Sequence, residues 1–167
     1  ATLRAALSGE AVSAAVHALI DDPESEAPLQ LRVAVLRLSA ERAAGEARAS
    51  WLLRAARLAR EEGAESTLCR GLLAEAIEAY PDGREAHEAL LETEGDPLAK
   101  AGHHLRLARL LARTAGSDED VAQHLKSALR LAPARKDTQA AAEAHFAATE
   151  DAGGLAALYA AQLSALE

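Results

Sequence analysis

The amino-acid sequence predicts an all-α fold made of short antiparallel helices. Its 167 residues include 44 Ala and 27 Leu, which favour helices, against only 5 Val and 2 Ile, and aromatic residues make up 2%. Because residues that favour strands are so scarce, β-sandwiches and β-barrels are excluded. The single cysteine excludes a disulfide scaffold, and the apolar content of 50% excludes a disordered chain.

Regularly spaced turn residues divide the chain into about nine helical segments, in which apolar residues recur at helical spacing. The breaks are Asp21-Asp22-Pro23, Gly45, Glu62-Gly63, Pro81-Asp82-Gly83, Gly95-Asp96-Pro97, Gly116-Ser117, Pro133 and Gly153-Gly154. Asp96 and Ser117 are predicted N-caps, and Pro97 stands at a helical position that needs no backbone N–H. Because the connections are short, we expect successive helices to lie antiparallel within one domain, residues 1–167.

The helical segments are of two kinds, which predicts a two-layer array. Residues 98–115 and 47–62 are apolar around most of the helix and leave one narrow polar strip. The first strip contains His103, Arg106, Arg109 and Arg113, and the second contains Ser50, Arg54, Arg57 and Glu61. Residues 118–132 instead have one apolar face, formed by Val121, Ala122, Leu125, Ala128 and Leu129. Such an alternation is typical of stacked helical hairpins, whose inner helices lie between neighbours.

Two stretches share a pattern of bulky and small residues on successive helices, each closed by a proline. One contains His104, Leu107, Ala108 and Leu111, then Val121 or Ala122, Leu125, Ala128 and Pro133; the other contains Trp51, Ala55, Leu58, Cys69, Leu73, Ala76 and Pro81. The small residues let paired helices approach closely, and the large ones fill the gaps. This pattern resembles that of tetratricopeptide repeats.

The resemblance is to a degenerate member of that family. Arg54 replaces the usual Leu, and the two matches lie 52 residues apart, from Pro81 to Pro133, with an extra helix at residues 84–94 between them. The resemblance implies a bacterial type of repeat array, a right-handed α-α superhelix (solenoid) of helical hairpins. Its first helices would line a concave groove for a partner peptide. Other helical-hairpin solenoids are alternatives.

The predicted function is a non-catalytic scaffold for protein–protein interaction. The candidate groove contacts are Arg54, Arg57, His103, Arg106, Arg109 and Arg113, whose arginines suit an acidic or carboxylate-rich protein or peptide. Family members that bind peptide tails use a Lys, Arg and Asn clamp, but this sequence contains no Asn. The alternative is that these arginines only solvate the exposed strip of each helix, with pairs such as Arg57 and Glu61.

Charge and hydropathy exclude several other partners. The chain has 18 basic and 26 acidic side chains, a net charge of −8, and offers no basic patch for phosphates, so nucleic acids and anionic membranes are excluded. No segment reaches the roughly 18 apolar residues of a membrane span.

A cytoplasmic location is the default expectation, with the periplasm as alternative. Since the chain begins at Ala1, it is expected to be processed or cut from a longer protein.

The sequence contains no catalytic or cofactor-binding motif, so we expect neither enzyme activity nor a cofactor nor a metal. The adjacent residues His103 and His104 point about 100° apart on a helix and are a poor chelate. Cys69, Trp51, Tyr80 and Tyr159 are interpreted as packing residues. The terminal helices, including residues 155–166, lack a polar cap, which predicts either that the array is cut from a longer repeat protein or that its ends self-associate with another copy. Two other functions stay open: a structural spacer, or a helical accessory domain of an enzyme with a site of scattered His and carboxylates.

Overall fold

The computed structural model describes residues 27–114 and 116–164, and within them every regular element is an α-helix. The eight helices are α1 (Leu29–Glu41), α2 (Gly45–Glu61), α3 (Ser66–Ala79), α4 (Arg84–Thr93), α5 (Pro97–Arg113), α6 (Asp118–Leu131), α7 (Lys136–Ala148) and α8 (Ala152–Ser164). The all-α prediction is confirmed. The predicted first segment, before Asp21-Asp22-Pro23, lies outside the described residues, so the count of about nine stays a prediction.

The helices belong to two compact units, one up to Tyr80 and one from Pro81 onward. In the first unit, α1 packs against α2 and α2 against α3. Ala55 and Ala59 of α2 are completely buried, and their small size lets the neighbouring helices approach closely. Leu36, Leu52 and Leu72 fill the spaces between these helices with large, fully buried side chains.

In the second unit, α5 packs between α4 and α6, and α6 also contacts α7 and α8. The helix starts follow the predicted caps: the Asp96 carboxylate accepts hydrogen bonds from the N–H groups of Leu98 and Ala99, and the Ser117 hydroxyl accepts one from Asp120 N–H. The core is formed by side chains of all four helices α5, α6, α7 and α8. It contains Leu105, Leu111, Val121, Leu125, Leu129, Ala142, Phe146 and Leu158.

The two kinds of helix predicted from the apolar patterns occur in this unit. On α6 the buried residues are Val121, Ala122, Leu125, Ala128 and Leu129, the same five that the sequence assigns to its apolar face. On α5 burial extends further around the helix and includes Ala101, Leu105, Leu107, Ala108, Leu110 and Leu111. The wider burial of α5 follows from its position between two neighbours. In neither described range is any helix long and apolar enough to cross a membrane.

The spacing of Leu155, Leu158, Tyr159 and Leu163 predicts one apolar face on the last helix, and the structure buries only part of it. Leu166, which the sequence assigns to the same face, lies outside the described residues. The side chain of Tyr159 is 55% exposed and that of Leu163 is 67% exposed, so the prediction that Tyr159 packs is wrong. The helix buries Gly154, Leu158 and Ala161, and Leu155 packs against the same core. The small residues decide the orientation because they allow α8 to lie close against Phe146 of α7.

Gly154 supplies the first testable prediction. A Cβ atom at this position would lie 2.5 Å from Cγ of Phe146 and 2.7 Å from Oδ2 of Asp151. We expect Gly154→Ala to lower the free energy of unfolding by about 1–3 kcal/mol, because the fully buried ring has no room to move. Urea unfolding followed by circular dichroism measures the change.

The control for this measurement is Gly71→Ala in α3, where a Cβ atom would have no neighbour within 4 Å. Because alanine favours helix more than glycine does, this variant should be as stable as the parent or more stable by about 0.5–1 kcal/mol. Equal effects of the two substitutions would contradict the close packing of α8 on Phe146.

Candidate functional site

The candidate site lies on the exposed strip of α5. Arg106, Arg109 and Arg113 follow one another at helical spacing, and with Leu110 and Ala112 they line a shallow pocket of about 370 Å³. Since α5 is buried on its other sides, this strip is where its long charged side chains reach solvent while their aliphatic stems cover the helix. Three guanidinium groups are thereby concentrated along a short stretch of one helix.

The Asp82 carboxylate, in the turn before α4, lies between two of these arginines. Its Oδ1 accepts a hydrogen bond from Nη2 of Arg106, and its Oδ2 accepts one from Nη2 of Arg113 at 2.6 Å. The hydrogen bond from Arg113, with the charges of both arginines, holds the pKa of Asp82 below its usual value. Arg106 also donates from Nε to the Pro81 carbonyl oxygen at 3.2 Å.

Asp82 was not among the residues selected from the sequence, which identified the Pro81-Asp82-Gly83 turn only as a break. The pairs join residues 24 and 31 positions apart, so no local spacing pattern indicates them. Two of the three arginines therefore already have a carboxylate partner within the chain. This agrees with the alternative that the arginines form local charge pairs on the exposed strip of the helix.

Arg109 differs from its two neighbours. It is exposed and forms no ion pair within the part of the chain that the structure describes. The carboxylate whose pKa its charge lowers, Asp137, is held mainly by Arg135, which donates from Nε and Nη2 at 2.8 and 3.0 Å. Counting Asp82, the strip therefore retains two positive charges, in a chain whose net charge is −8.

The candidate residues of α2 belong to the other unit. The guanidinium of Arg54 lies 5.4 Å from the ring centroid of Trp51, within the range of a cation–π interaction. Trp51 is half-buried, and Arg57 is exposed on the same helix. The structure thus places the six predicted residues in two sets, Arg54 and Arg57 in the first unit and the other four in the second.

His103 contacts another helix and is half-buried. Its Nδ1 lies 3.0 Å from Nδ1 of His87 on α4, and Nε2 of His87 lies 3.0 Å from the Pro81 carbonyl oxygen. Because a carbonyl oxygen only accepts, His87 carries its proton on Nε2 and accepts at Nδ1. In the neutral pair, His103 therefore donates from Nδ1 to His87.

His104 forms a second pair, with His124 of α6, and its Nδ1 lies 2.9 Å from Nδ1 of His124. Burial lowers the pKa of all four histidines, and with the nearby charges of His124 and Arg130 it lowers the pKa of His104 to about 4. As their angular separation predicts, His103 and His104 contact opposite neighbours of α5. The histidines are uncharged at neutral pH and add nothing to the positive charge of the strip.

The other residues that could carry chemistry include Cys69 and the lining of a second pocket. Cys69 is buried, as predicted. Among residues 27–114 and 116–164 there is no group of three His, Cys, Asp or Glu side chains placed to hold a metal ion. A larger pocket of about 830 Å³ beside α6 has charges of both signs in its lining, including Asp118, Glu119, Lys126, Arg130 and Asp151. It favours no one class of ligand.

Comparison with known proteins identifies no relative of this chain. No protein-family model, curated protein or solved structure matches the chain. The likeness to tetratricopeptide repeats therefore rests on the sequence pattern alone.

Proposed function

We propose that this chain is a non-catalytic interaction module that binds an acidic segment of a partner polypeptide along α5. The observation that carries the proposal is the strip of Arg106, Arg109 and Arg113, which lines one pocket and, within the described residues, forms ion pairs with a single carboxylate, that of Asp82. Guanidinium groups bind carboxylates with two parallel hydrogen bonds and stay charged at all physiological pH values. An extended segment rich in Asp and Glu matches a row of such groups.

The helical architecture supports the same proposal. Consecutive helices pack against each other within each unit, and α5 is buried between two neighbours whereas α6 buries one face. We propose that these helices form a right-handed solenoid of TPR-like hairpins, in which the more buried helices present the binding surface. Attraction between the strip and an acidic segment would also accelerate association at low ionic strength.

The test uses a fluorescein-labelled octaglutamate peptide and fluorescence anisotropy. We expect the parent chain to bind the peptide at low salt and to release it as salt is added. Arg109→Glu should weaken binding about tenfold or more, since it removes a charge-assisted hydrogen bond and adds repulsion. Arg109 is the sharpest choice because its replacement leaves the ion pairs of Asp82 in place.

The matched control is Arg130→Glu on α6, which makes the same change in net charge at an exposed position outside the strip. It should retain most of the affinity. Equal losses in both variants would show that only total charge matters and would contradict a site on α5. If the parent chain does not bind the peptide even at low salt, the proposed function is wrong, and a structural spacer becomes the better explanation.

A further inference from the structure

The carboxylate site on α5 is occupied by a side chain of the protein itself. Arg106 and Arg113, two turns apart on the helix, each contact a different oxygen of Asp82. This is the arrangement in which two guanidinium groups would bind a carboxylate from another molecule. The occupant comes from the turn that precedes α4, outside the helix that forms the site.

We propose that Asp82 is a built-in competitor, which an acidic partner displaces from Arg106 and Arg113 in order to bind. This inference rests on the proposed function and adds the regulation of its site. In the free protein, Arg106 and Arg113 are ion-paired with Asp82, and Arg109 has no ion pair among the described residues. In the complex, Asp82 has left and all three are available to the carboxylates of the partner.

The exposure of the pair makes the exchange possible. The side chains of Arg106, Arg113 and Asp82 are 38%, 60% and 36% exposed. Ion pairs at such positions contribute little to stability, because solvent screens both charges. A carboxylate of the partner that replaces the carboxylate of Asp82 forms similar bonds, so the exchange opposes binding only modestly.

The turn that carries Asp82 is held independently of its carboxylate. The Pro81 carbonyl oxygen accepts from Nε of Arg106 at 3.2 Å and from Nε2 of His87 at 3.0 Å. These two contacts involve the backbone and persist when the Asp82 side chain rotates away. Arg106 therefore stays oriented toward the pocket, and the displacement requires a side-chain rotation with no unfolding of the turn.

The experiment compares Asp82→Asn with the parent chain in the octaglutamate anisotropy assay. The asparagine keeps the shape of the side chain and removes its charge, so we expect binding about 3- to 10-fold tighter. Asp82→Glu retains a carboxylate and should bind close to the parent value. Glu88→Gln is the charge-matched control, because it breaks the exposed Arg84–Glu88 pair of α4 and changes net charge equally.

Equal affinity of Asp82→Asn and Glu88→Gln would overturn the competitor role and leave the proposed function standing. Failure of every variant to bind, Asp82→Asn included, would reject the proposed function and the competitor role together. A second measurement uses the unmodified chain: the chemical shift of the Asp82 carboxyl carbon is followed by ¹³C NMR at neutral pH as the peptide is added. Bound peptide should move this signal toward that of a solvated carboxylate, because the arginine contacts are lost; a carboxyl signal unchanged by bound peptide would contradict displacement.

Discussion

Replacement of Phe146 by alanine is expected to lower the free energy of unfolding by about 3–5 kcal/mol, the largest effect of any substitution considered for this chain. Phe146 is its only phenylalanine and is completely buried. The ring lies in the cluster that joins α5, α6, α7 and α8, and α8 approaches it at Gly154 with no intervening side chain. Removal of the ring leaves a cavity that helices on several sides line and that cannot collapse without moving them.

Urea unfolding followed by circular dichroism measures this loss, and Tyr159→Ala is the matched control. Tyr159 is also aromatic but is 55% exposed on α8, so its replacement should change stability by less than about 0.5 kcal/mol. Hydrogen exchange then locates the effect, and protection should fall in α6, α7 and α8. An equal loss for the two substitutions would contradict the central position of Phe146.

Acidification from pH 7 to pH 4.5 is expected to destabilise the second unit through its paired histidines. Burial lowers the pKa of His104 from 6.5 to about 4. Between these two values the unfolded chain binds the proton and the folded chain does not, so stability falls as the pH falls through this range. Each pKa unit corresponds to about 1.4 kcal/mol, and after allowance for the partial exposure of the ring we expect His104 to account for about 1–3 kcal/mol.

The same sign applies to the other three histidines of the pairs, whose pKa values are also lowered by burial. The carboxylates behave differently. The pKa values of Asp82, Asp137 and Asp151 are lowered from 3.8, so their contribution to stability is present above that value and is lost only at lower pH. These three aspartates therefore contribute little to the loss between pH 6.5 and pH 4, and we expect it to come mainly from the histidines.

The double variant His104→Gln, His124→Gln tests this assignment, because glutamine does not titrate. Its free energy of unfolding should decline less than that of the parent chain between pH 7 and pH 5. Added salt should leave most of the decline of the parent in place, since burial, which salt does not screen, is the largest cause of the shift. A double variant with the same decline as the parent would remove His104 and His124 as its source.

Much of the local structure could be predicted from the sequence. Helix positions follow from the Ala and Leu content and the spacing of Gly and Pro, and the caps at Asp96 and Ser117 form as expected. The five buried residues of α6 were predicted because a helix that packs on one side shows its buried face directly in its apolar period. On α8 the same reasoning holds for Leu155 and Leu158 but fails for Tyr159, since alanine and glycine are compatible with either a buried or an exposed face.

The candidate site was predictable only in part. The positions of Arg106, Arg109 and Arg113 on one strip follow from helical geometry, because residues three, four or seven apart share a face. Asp82 and the two histidine pairs could not be found in this way, since each contact joins side chains on different elements. In the sequence, the arginines of a solvated strip have the same spacing as those of an occupied carboxylate site, so the spacing does not distinguish the two.

The sequence by itself determined which segments are helical and which side of α5 and α6 is apolar, whereas its predicted break at Gly153-Gly154 lies inside α8. These properties depend on neighbours along the chain, through backbone propensity, capping and a period of about 3.6 residues. The tertiary structure alone decided that the Asp82 carboxylate lies between Arg106 and Arg113, that the histidines pair across helices, and that Gly154 receives Phe146. Such contacts depend on the packing of helices distant in sequence, where differences of an ångström decide which side chains meet.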